Sequence, residues 1–148
     1  MPLYFAYGSN MDLEQMQERC PASKVVSVGV LQDYRLDFTH YATRWNGGVG
    51  DVVPEGDATV WGLVFELPEE DLLRLDDFES RPHVYDRCLV NIKIESEVLK
   101  DVWVYTIQNR KPFIAPSSRY LNTIKNAAKE WEFPKVYQEF LERIEVCD

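Results

Sequence analysis

Tyr4-Phe5-Ala6-Tyr7-Gly8-Ser9-Asn10 is the stretch around which the rest of this 148-residue chain is organised. The apolar and aromatic residues 3–7 are typical of a buried β-strand. Gly8 lets a ligand approach the backbone closely. Ser9 and Asn10 are typical helix N-cap residues, and a helical pattern follows them. The stretch therefore predicts a strand, a tight loop and a helix start in succession.

Such a corner directs unpaired backbone N–H groups and the positive end of a helix at one spot. An anionic ligand group or a developing oxyanion could be held there. The alternative is a capped helix after a first strand with no binding role, because a short motif alone is only a hypothesis.

The length and charge of the chain limit its architecture and its partners. A chain of 148 residues with 45% hydrophobic residues is expected to form a single globular domain over residues 1–148. The net charge of −9 argues against a nucleic acid or an anionic membrane as partner, since both favour clustered Lys and Arg. No apolar run approaches the roughly 18 residues that span a bilayer.

The cysteines and histidines indicate neither a disulfide framework nor a metal site. Cys20, Cys88 and Cys147 are odd in number, far apart and not in CxxC spacing, which favours a reducing, cytoplasmic location. Neither His40 nor His83 has a Cys or Asp at metal-ligand spacing, and a loop position exposed to solvent is favoured for both. We therefore expect no metal and no cofactor, and the sequence lacks a credible Ser-His-Asp triad.

Period-two and helical patterns place the remaining elements. Strands are predicted over residues 24–30, 31–38, 58–67, 88–95 and 102–108. The first two are either separate strands or one long strand bent at Gly29. A turn is predicted over residues 54–57. Helices are predicted after Asn10, over 68–77, and from Ser117 onward, with Pro134 dividing the last region in two. Each half of this last region has an apolar stripe that is expected to be buried: Tyr120, Leu121, Ile124, Ala127 and Ala128 in the first, and Val136, Tyr137, Phe140, Leu141 and Ile144 in the second. This succession predicts an α+β fold in which a mixed, largely antiparallel sheet curls around the core and helices lie at its margins.

Two local features leave alternatives open. The glycine-dense stretch Trp45–Gly50 is either a hairpin turn or the wall of a site. Acidic residues crowd around the second helix, and a solvated helix face explains most of them. Glu79 differs, because it follows the helix between an aromatic residue and a loop. Burial there would raise its pKa and suit it to proton transfer near neutral pH.

Five blocks in this order resemble the γ-glutamylcyclotransferase family. They are Tyr4-Phe5-Ala6-Tyr7-Gly8-Ser9-Asn10-Met11, Leu31-Gln32-Asp33-Tyr34-Arg35-Leu36-Asp37-Phe38, Trp45-x-Gly47-Gly48, Val60-Trp61-Gly62 and Leu75-Asp76-x-x-Glu79. The resemblance covers residues 3 to about 120 and implies a small mixed β-barrel flanked by helices. It departs from the family at Ser80, where Gly is frequent, and after Tyr120.

The resemblance also implies a site and a reaction. Glu79 would be the general acid and base, and the backbone of the corner would hold the γ-glutamyl group. The implied substrate-binding residues are Tyr4, Phe5, Ala6, Tyr7, Gly8, Ser9, Asn10, Tyr85, Tyr105 and Tyr120. The small-molecule γ-glutamyl substrate would yield 5-oxoproline and a free amine or amino acid, and the resemblance also points to a homodimer.

The implied reaction suits the residues present, because a γ-glutamyl amide carries its own nucleophile in the α-amine. One carboxylate can take the proton of the α-ammonium and return it to the leaving amine. Two alternatives stay open: a γ-glutamyl-amine or another γ-glutamylated metabolite as substrate, and a binding module that keeps the fold without turnover.

Overall fold

The computed structural model describes residues 1–148 as five strands, four α-helices and one short 3₁₀ turn. The strands are β1 (Leu3–Ala6), β2 (Lys24–Ala42), β3 (Gly47–Glu66), β4 (Tyr85–Lys93) and β5 (Val98–Ile107). The helices are α1 (Leu13–Arg19), α2 (Glu69–Phe78), α3 (Ser118–Glu130) and α4 (Lys135–Glu142), and the 3₁₀ turn is Ser9–Met11. No helix is both long enough and apolar enough to cross a bilayer.

The five strands form a closed barrel in the order β1-β3-β2-β4-β5. β1 runs antiparallel to β3 and parallel to β5, and the other pairings are antiparallel. The contact between β2 and β4 that closes the barrel is short, with Val30 paired to Lys93. The predicted α+β class, with a mixed, largely antiparallel barrel flanked by helices, is confirmed.

β2 and β3 form one long hairpin. Its register shifts do not lie at Gly29, where a bend was predicted. The register shifts in β2 fall at Val25/Ser27, Gln32/Tyr34 and Phe38/His40. Gly29, the predicted bend, pairs regularly with Gly62. Gly29 is needed for space, because a Cβ there would lie 2.5 Å from the side chain of Ile92.

The predicted turn over residues 54–57 is an excursion within β3. Pro54 pairs with Tyr34 and Thr59 pairs with Gln32, so residues 55–58 stand opposite Asp33 alone. Asp33 and Asp57 both have positive φ, and the Asp57 N–H donates to the Asp33 carboxylate at 3.2 Å. The local turn signal was therefore correct, but the strand continues through it.

One apolar core fills the barrel and continues beneath α2 and α3. The predicted α3 stripe is entirely buried: Tyr120, Leu121, Ile124, Ala127 and Ala128. The stripe predicted on α4 is only partly buried, because Tyr137 and Leu141 lie inside while Val136 is 79% exposed. α4 thus packs at the margin of the core.

The acidic run around α2 is not a uniform solvated face. Asp71 is buried, forms an ion pair with Arg74 at 2.6 Å and accepts the Ala22 N–H at 3.1 Å. Asp76 is also buried. Buried carboxylates need such partners, so these two residues tie α2 to its surroundings.

Gly48 provides a test of the barrel packing. A Cβ at Gly48 would clash with the backbone oxygen of Ile114, whereas a Cβ at Gly56 would meet nothing within 4 Å. We expect Gly48→Ala to lower the free energy of unfolding by roughly 1–3 kcal/mol, the usual cost of overpacking. Gly56→Ala is the matched control and should be neutral or slightly stabilising. Urea unfolding measures both, and equal stabilities would contradict this packing.

Candidate active site

A cavity of about 360 Å³ opens at one end of the barrel. Its wall combines the corner after β1, the tip of the β2–β3 hairpin, the end of α2, the start of β4, and single side chains from β5 and α3. The predicted site residues that line it are Tyr4, Tyr7, Gly8, Ser9, Asn10, Glu79, Tyr85, Tyr105 and Tyr120.

Phe5 and Ala6 are not brought to the cavity. Both are fully buried in β1, where they pair with Val64 and Leu63. Phe5 packs against Gly62, since a Cβ on Gly62 would lie 2.8 Å from the Phe5 ring. Alternation along the strand sends Tyr4 toward the cavity and Phe5 into the core.

The corner differs in detail from its prediction. Ser9 and Asn10 belong to the 3₁₀ turn, and α1 begins only at Leu13, where the Asp12 carboxylate caps it by accepting the Glu14 N–H at 3.1 Å. The corner is therefore a tight turn and not the first turn of a helix. The backbone N–H groups of Gly8 and Asn10 have no acceptor within the chain, so they are available to a ligand.

The Asn10 side chain organises the cavity floor. Its Oδ1 accepts from Arg19 Nη1 at 3.1 Å and from Gln15 Nε2 at 3.0 Å. Because a guanidinium can only donate, this arrangement fixes the orientation of the amide. Asn10 Nδ2 consequently donates to Tyr4 Oη at 2.9 Å and points toward Glu79 Oε1 at 3.4 Å.

Glu79 is the carboxyl group of this floor. It is the residue directly after α2, with φ −87° and ψ 2°, and its N–H donates to the Leu75 carbonyl at 2.8 Å. Its side chain is half-buried: part faces the cavity and the rest is enclosed by protein. Burial raises the pKa of Glu79 to about 7, although Arg19, the Asn10 amide and Arg44 oppose the rise.

The Gly50 peptide is held by three tyrosines. Tyr85 Oη donates to the Gly50 carbonyl at 2.6 Å, and Tyr7 Oη lies 3.4 Å from the same oxygen. The Gly50 N–H donates to Tyr120 Oη at 2.9 Å. Trp45 and Gly50 both line the cavity, and Trp45 lies in the turn between β2 and β3. The glycine-dense stretch is thus both a hairpin turn and a cavity wall.

The hydroxyl protons of the tyrosines divide into two groups. Those of Tyr7, Tyr85 and Tyr105 are used within the protein, on the carbonyls of Tyr105 and Gly50 and on the Asp76 carboxylate. Tyr4 and Tyr120 accept hydrogen bonds from Asn10 and Gly50 and keep a free proton. Among the five predicted site tyrosines, the hydroxyls of Tyr4 and Tyr120 are therefore the ones that can donate to a ligand.

Asp76 supports this wall, and sequence reasoning assigned it no role. Its carboxylate receives two bonds from Arg87, at 2.8 and 3.1 Å, one from Tyr105 Oη at 2.8 Å and one from Arg81 Nη1 at 3.2 Å. Burial opposes its ionisation, but the hydrogen bonds from Arg87 and Tyr105 outweigh burial and hold the pKa of Asp76 below its usual value. The only feature of the sequence that could have indicated a role for Asp76 is its position in the Leu75-Asp76 block of the family resemblance.

Sequence reasoning also missed the three basic residues of the cavity. Arg19, at the end of α1, is 8% exposed and lines the cavity. His40 and Arg44, near the hairpin tip, line it as well. The loop position expected for His40 is wrong, because β2 continues through it. Helical spacing from the buried Met16 was the one available signal for Arg19, and nothing in the sequence distinguished Arg44.

The cavity combines the groups that an enzyme uses for acid–base chemistry on a small ligand. A half-buried carboxyl with a pKa near neutrality lies in the same cavity as backbone N–H groups that have no acceptor within the chain, which is an arrangement suited to proton transfer. The protein has no group of three or more His, Cys, Asp or Glu side chains arranged to hold a metal ion.

Comparison with known proteins shows which enzyme family the chain resembles. The family model described as gamma-glutamyl cyclotransferase, AIG2-like, matches residues 4–132. The mouse gamma-glutamylcyclotransferase is 33% identical over 150 residues, covering 97% of this chain and 78% of the relative. The human gamma-glutamylcyclotransferase is 32% identical over 153 residues, covering 99% and 80%.

A solved structure described as gamma-glutamyl cyclotransferase superposes with a TM-score of 0.93 at 31% identity, covering 99% of this chain and 89% of that one. The chain belongs to the γ-glutamylcyclotransferase, AIG2-like family. The family resemblance and the enzyme class predicted from the sequence are confirmed.

Asp76 gives a test of how the wall is held. Asp76→Asn would leave Arg87, whose side chain is 7% exposed, without its buried counter-charge. Breaking one side of such a pair costs roughly 3–5 kcal/mol, so the midpoint of urea unfolding should fall sharply. Asp77→Asn, at the exposed neighbouring residue, is the control and should change stability little.

The same pair predicts a pH dependence. A carboxyl whose folded-state pKa is lowered stabilises the fold above its unfolded-state pKa of about 4, and this stability is lost as the pH falls. Wild-type stability should therefore drop in acid, and the Asp76→Asn variant should show a smaller drop. An equal acid dependence in both proteins would contradict the assigned role of Asp76.

Proposed function

We propose that this chain converts a γ-glutamyl amino acid into 5-oxoproline and the free amino acid, with Glu79 as the group that carries the proton. The observation that supports this most directly is the Glu79 carboxyl, with a pKa of about 7, in the same cavity as the free Gly8 and Asn10 N–H groups. A group of this pKa can accept and return a proton near neutral pH.

The proposed reaction needs no nucleophile from the protein. The Glu79 carboxylate takes a proton from the substrate α-ammonium, and the α-amine then attacks the γ-carbonyl carbon to close a five-membered ring. The protonated Glu79 next gives its proton to the departing nitrogen as the carbon–nitrogen bond of the amide breaks. The ring nitrogen, which still carries two hydrogens after the attack, then loses one of them to the released amine through the Glu79 carboxylate. The amino acid leaves as its ammonium form, and Glu79 returns to the carboxylate. Holding the chain folded supplies roughly 7–11 kcal/mol of the barrier reduction.

The corner and two hydroxyls are the proposed binding groups. The free N–H groups of Gly8 and Asn10 would donate to the α-carboxylate or to the developing oxyanion. The Tyr4 and Tyr120 hydroxyls, whose protons are not used within the protein, would add further donors. Tyr7, Tyr85 and Tyr105 would shape the cavity wall, and Ser9 would contribute chiefly through its backbone.

The alternative of a binding module without turnover predicts an exposed Glu79 and no cavity beside Ser9. Glu79 is instead half-buried, and Ser9 lines the same cavity. This arrangement favours the catalytic proposal.

The proposal includes a cytoplasmic location and a homodimer. Cys20, Cys88 and Cys147 are free thiols, which suits a reducing cytoplasm. The homodimer implied by the resemblance is proposed as well, and light scattering on the purified protein measures its mass.

Glu79→Gln tests the proton carrier. Glutamine keeps the shape of glutamate but cannot exchange a proton, so kcat should fall at least about 100-fold while KM and stability change little. In the wild type, kcat/KM should rise with pH through an apparent pKa near 7, because Glu79 must be deprotonated to act as a base. Asp77→Asn, which removes an exposed neighbouring carboxylate, should keep both kcat and this acidic limb. A wild-type kcat in Glu79→Gln would exclude Glu79 from the mechanism.

The identity of the nucleophile has its own test. Acetylation of the substrate α-amine removes the nucleophile, so N-acetyl-γ-glutamyl-alanine should release no alanine, whereas γ-glutamyl-alanine should yield 5-oxoproline without free glutamate. Chromatography of both reactions measures this. Release of alanine from the blocked substrate, or glutamate appearing before 5-oxoproline, would show that water is the attacking group.

A further inference from the structure

Two arginines line the cavity without a carboxylate partner. None of the nine ion pairs of the protein includes Arg19 or Arg44. By contrast, Arg87 and Arg110, which also lie partly inside the protein, each hold a buried aspartate. An unpaired guanidinium in a cavity is a ready site for an anionic group, because its planar fork matches a carboxylate.

The two arginines differ in burial and in the contacts that their side chains make. Arg19 is 8% exposed, donates to Asn10 Oδ1 at 3.1 Å and lies 4.7 Å from the centroid of the Phe78 ring. These contacts tie it to the floor, next to Glu79. Arg44 is exposed at the hairpin tip, and its side chain makes no hydrogen bond within the protein.

The backbone of Arg44 is nevertheless held in place. Arg119 Nη2 donates to the Arg44 carbonyl at 2.7 Å, and the guanidinium of Arg44 lies 5.4 Å from the Trp45 ring centroid. Trp45 itself packs edge-on against Tyr120 at 5.0 Å. The rim of the cavity therefore presents a cation on a supported backbone with its donors free.

We propose that Arg44 binds the carboxylate of the leaving amino acid and thereby selects γ-glutamyl α-amino acids over γ-glutamyl amines. This inference rests on the proposed function, which places the γ-glutamyl group at the Gly8–Asn10 corner beside Glu79. The leaving group must then extend from the floor toward the rim. A γ-glutamyl amino acid carries two carboxylates, and Arg44 is the free guanidinium that its second carboxylate reaches.

The charge of the cavity agrees with this assignment. Arg19 and Arg44 contribute two positive charges, and Glu79 contributes at most one negative charge. A γ-glutamyl amino acid has one ammonium and two carboxylate groups and so has a net charge of −1. Removing its second carboxylate leaves a substrate of net charge zero, which loses its contact with Arg44.

The test compares γ-glutamyl-alanine with γ-glutamyl-alaninamide, in which a neutral amide replaces the carboxylate at the same size. The wild type should favour the acid in kcat/KM by at least about tenfold, as expected for a charge-assisted hydrogen bond. Arg44→Gln should lose this preference, because kcat/KM should fall for γ-glutamyl-alanine alone. Arg143→Gln, which removes an exposed arginine on the surface (78% side-chain exposure), is the charge-matched control and should keep it.

Binding is measured separately, so that Arg44 is tested even if the reaction is misassigned. Calorimetry of the two compounds is done on Glu79→Gln with and without Arg44→Gln, and the second change should weaken binding of the acid alone by at least about tenfold. An unchanged preference in Arg44→Gln, or equal handling of both compounds by the wild type, would overturn the proposal for Arg44. Failure of the wild type to form 5-oxoproline from either compound would overturn the proposed function, while calorimetry would still decide the role of Arg44.

Discussion

Backbone pairing between β2 and β3 is the interaction on which the rest of the molecule depends. The barrel is completed from the two edges of this hairpin, because β1 pairs with β3 and β4 pairs with β2. The hairpin tip also carries Arg44, Trp45 and Gly50 to the cavity. Since a slip of one residue turns every side chain to the opposite face, the register that builds the core also places Gly50 among its three tyrosines.

The cavity carries more positive than negative charge, whereas the chain as a whole is negatively charged. The protein has a net charge of −9, yet the charged groups at the cavity are two arginines and one glutamate. Burial alone would keep the Glu79 carboxyl protonated, and full exposure would keep it ionised. Enclosure by protein beside Arg19 brings its pKa to about 7, where both protonation states are accessible. The acidic composition argues against polyanionic partners but does not predict this local balance.

Much of the framework was readable from local sequence. Alternation and turn residues predicted the strands, Pro134 divided the last two helices, and Glu79 stood out because it follows a helix next to an aromatic residue. Asp76 was not recognised, since its two buried partners, Arg87 and Tyr105, lie 11 and 29 residues further along the chain. In the sequence it is one acid among several. Val136 was misjudged for the related reason that an apolar stripe does not say how far the core extends.

The sequence by itself determined the order and type of the elements, the tight corner after β1 and the family, because these depend on local conformational preference and on motifs contiguous in the chain. Only the tertiary structure decided which side chains share the cavity. Phe5 and Ala6 are buried away from the cavity, whereas Tyr4 and Tyr7 are buried and line it. Arg19, Arg44 and Glu79 converge on the cavity from separate elements. The pKa of Glu79, the free protons of Tyr4 and Tyr120 and the unpaired state of Arg44 follow from that convergence, since desolvation and hydrogen bonding act through space and not along the chain.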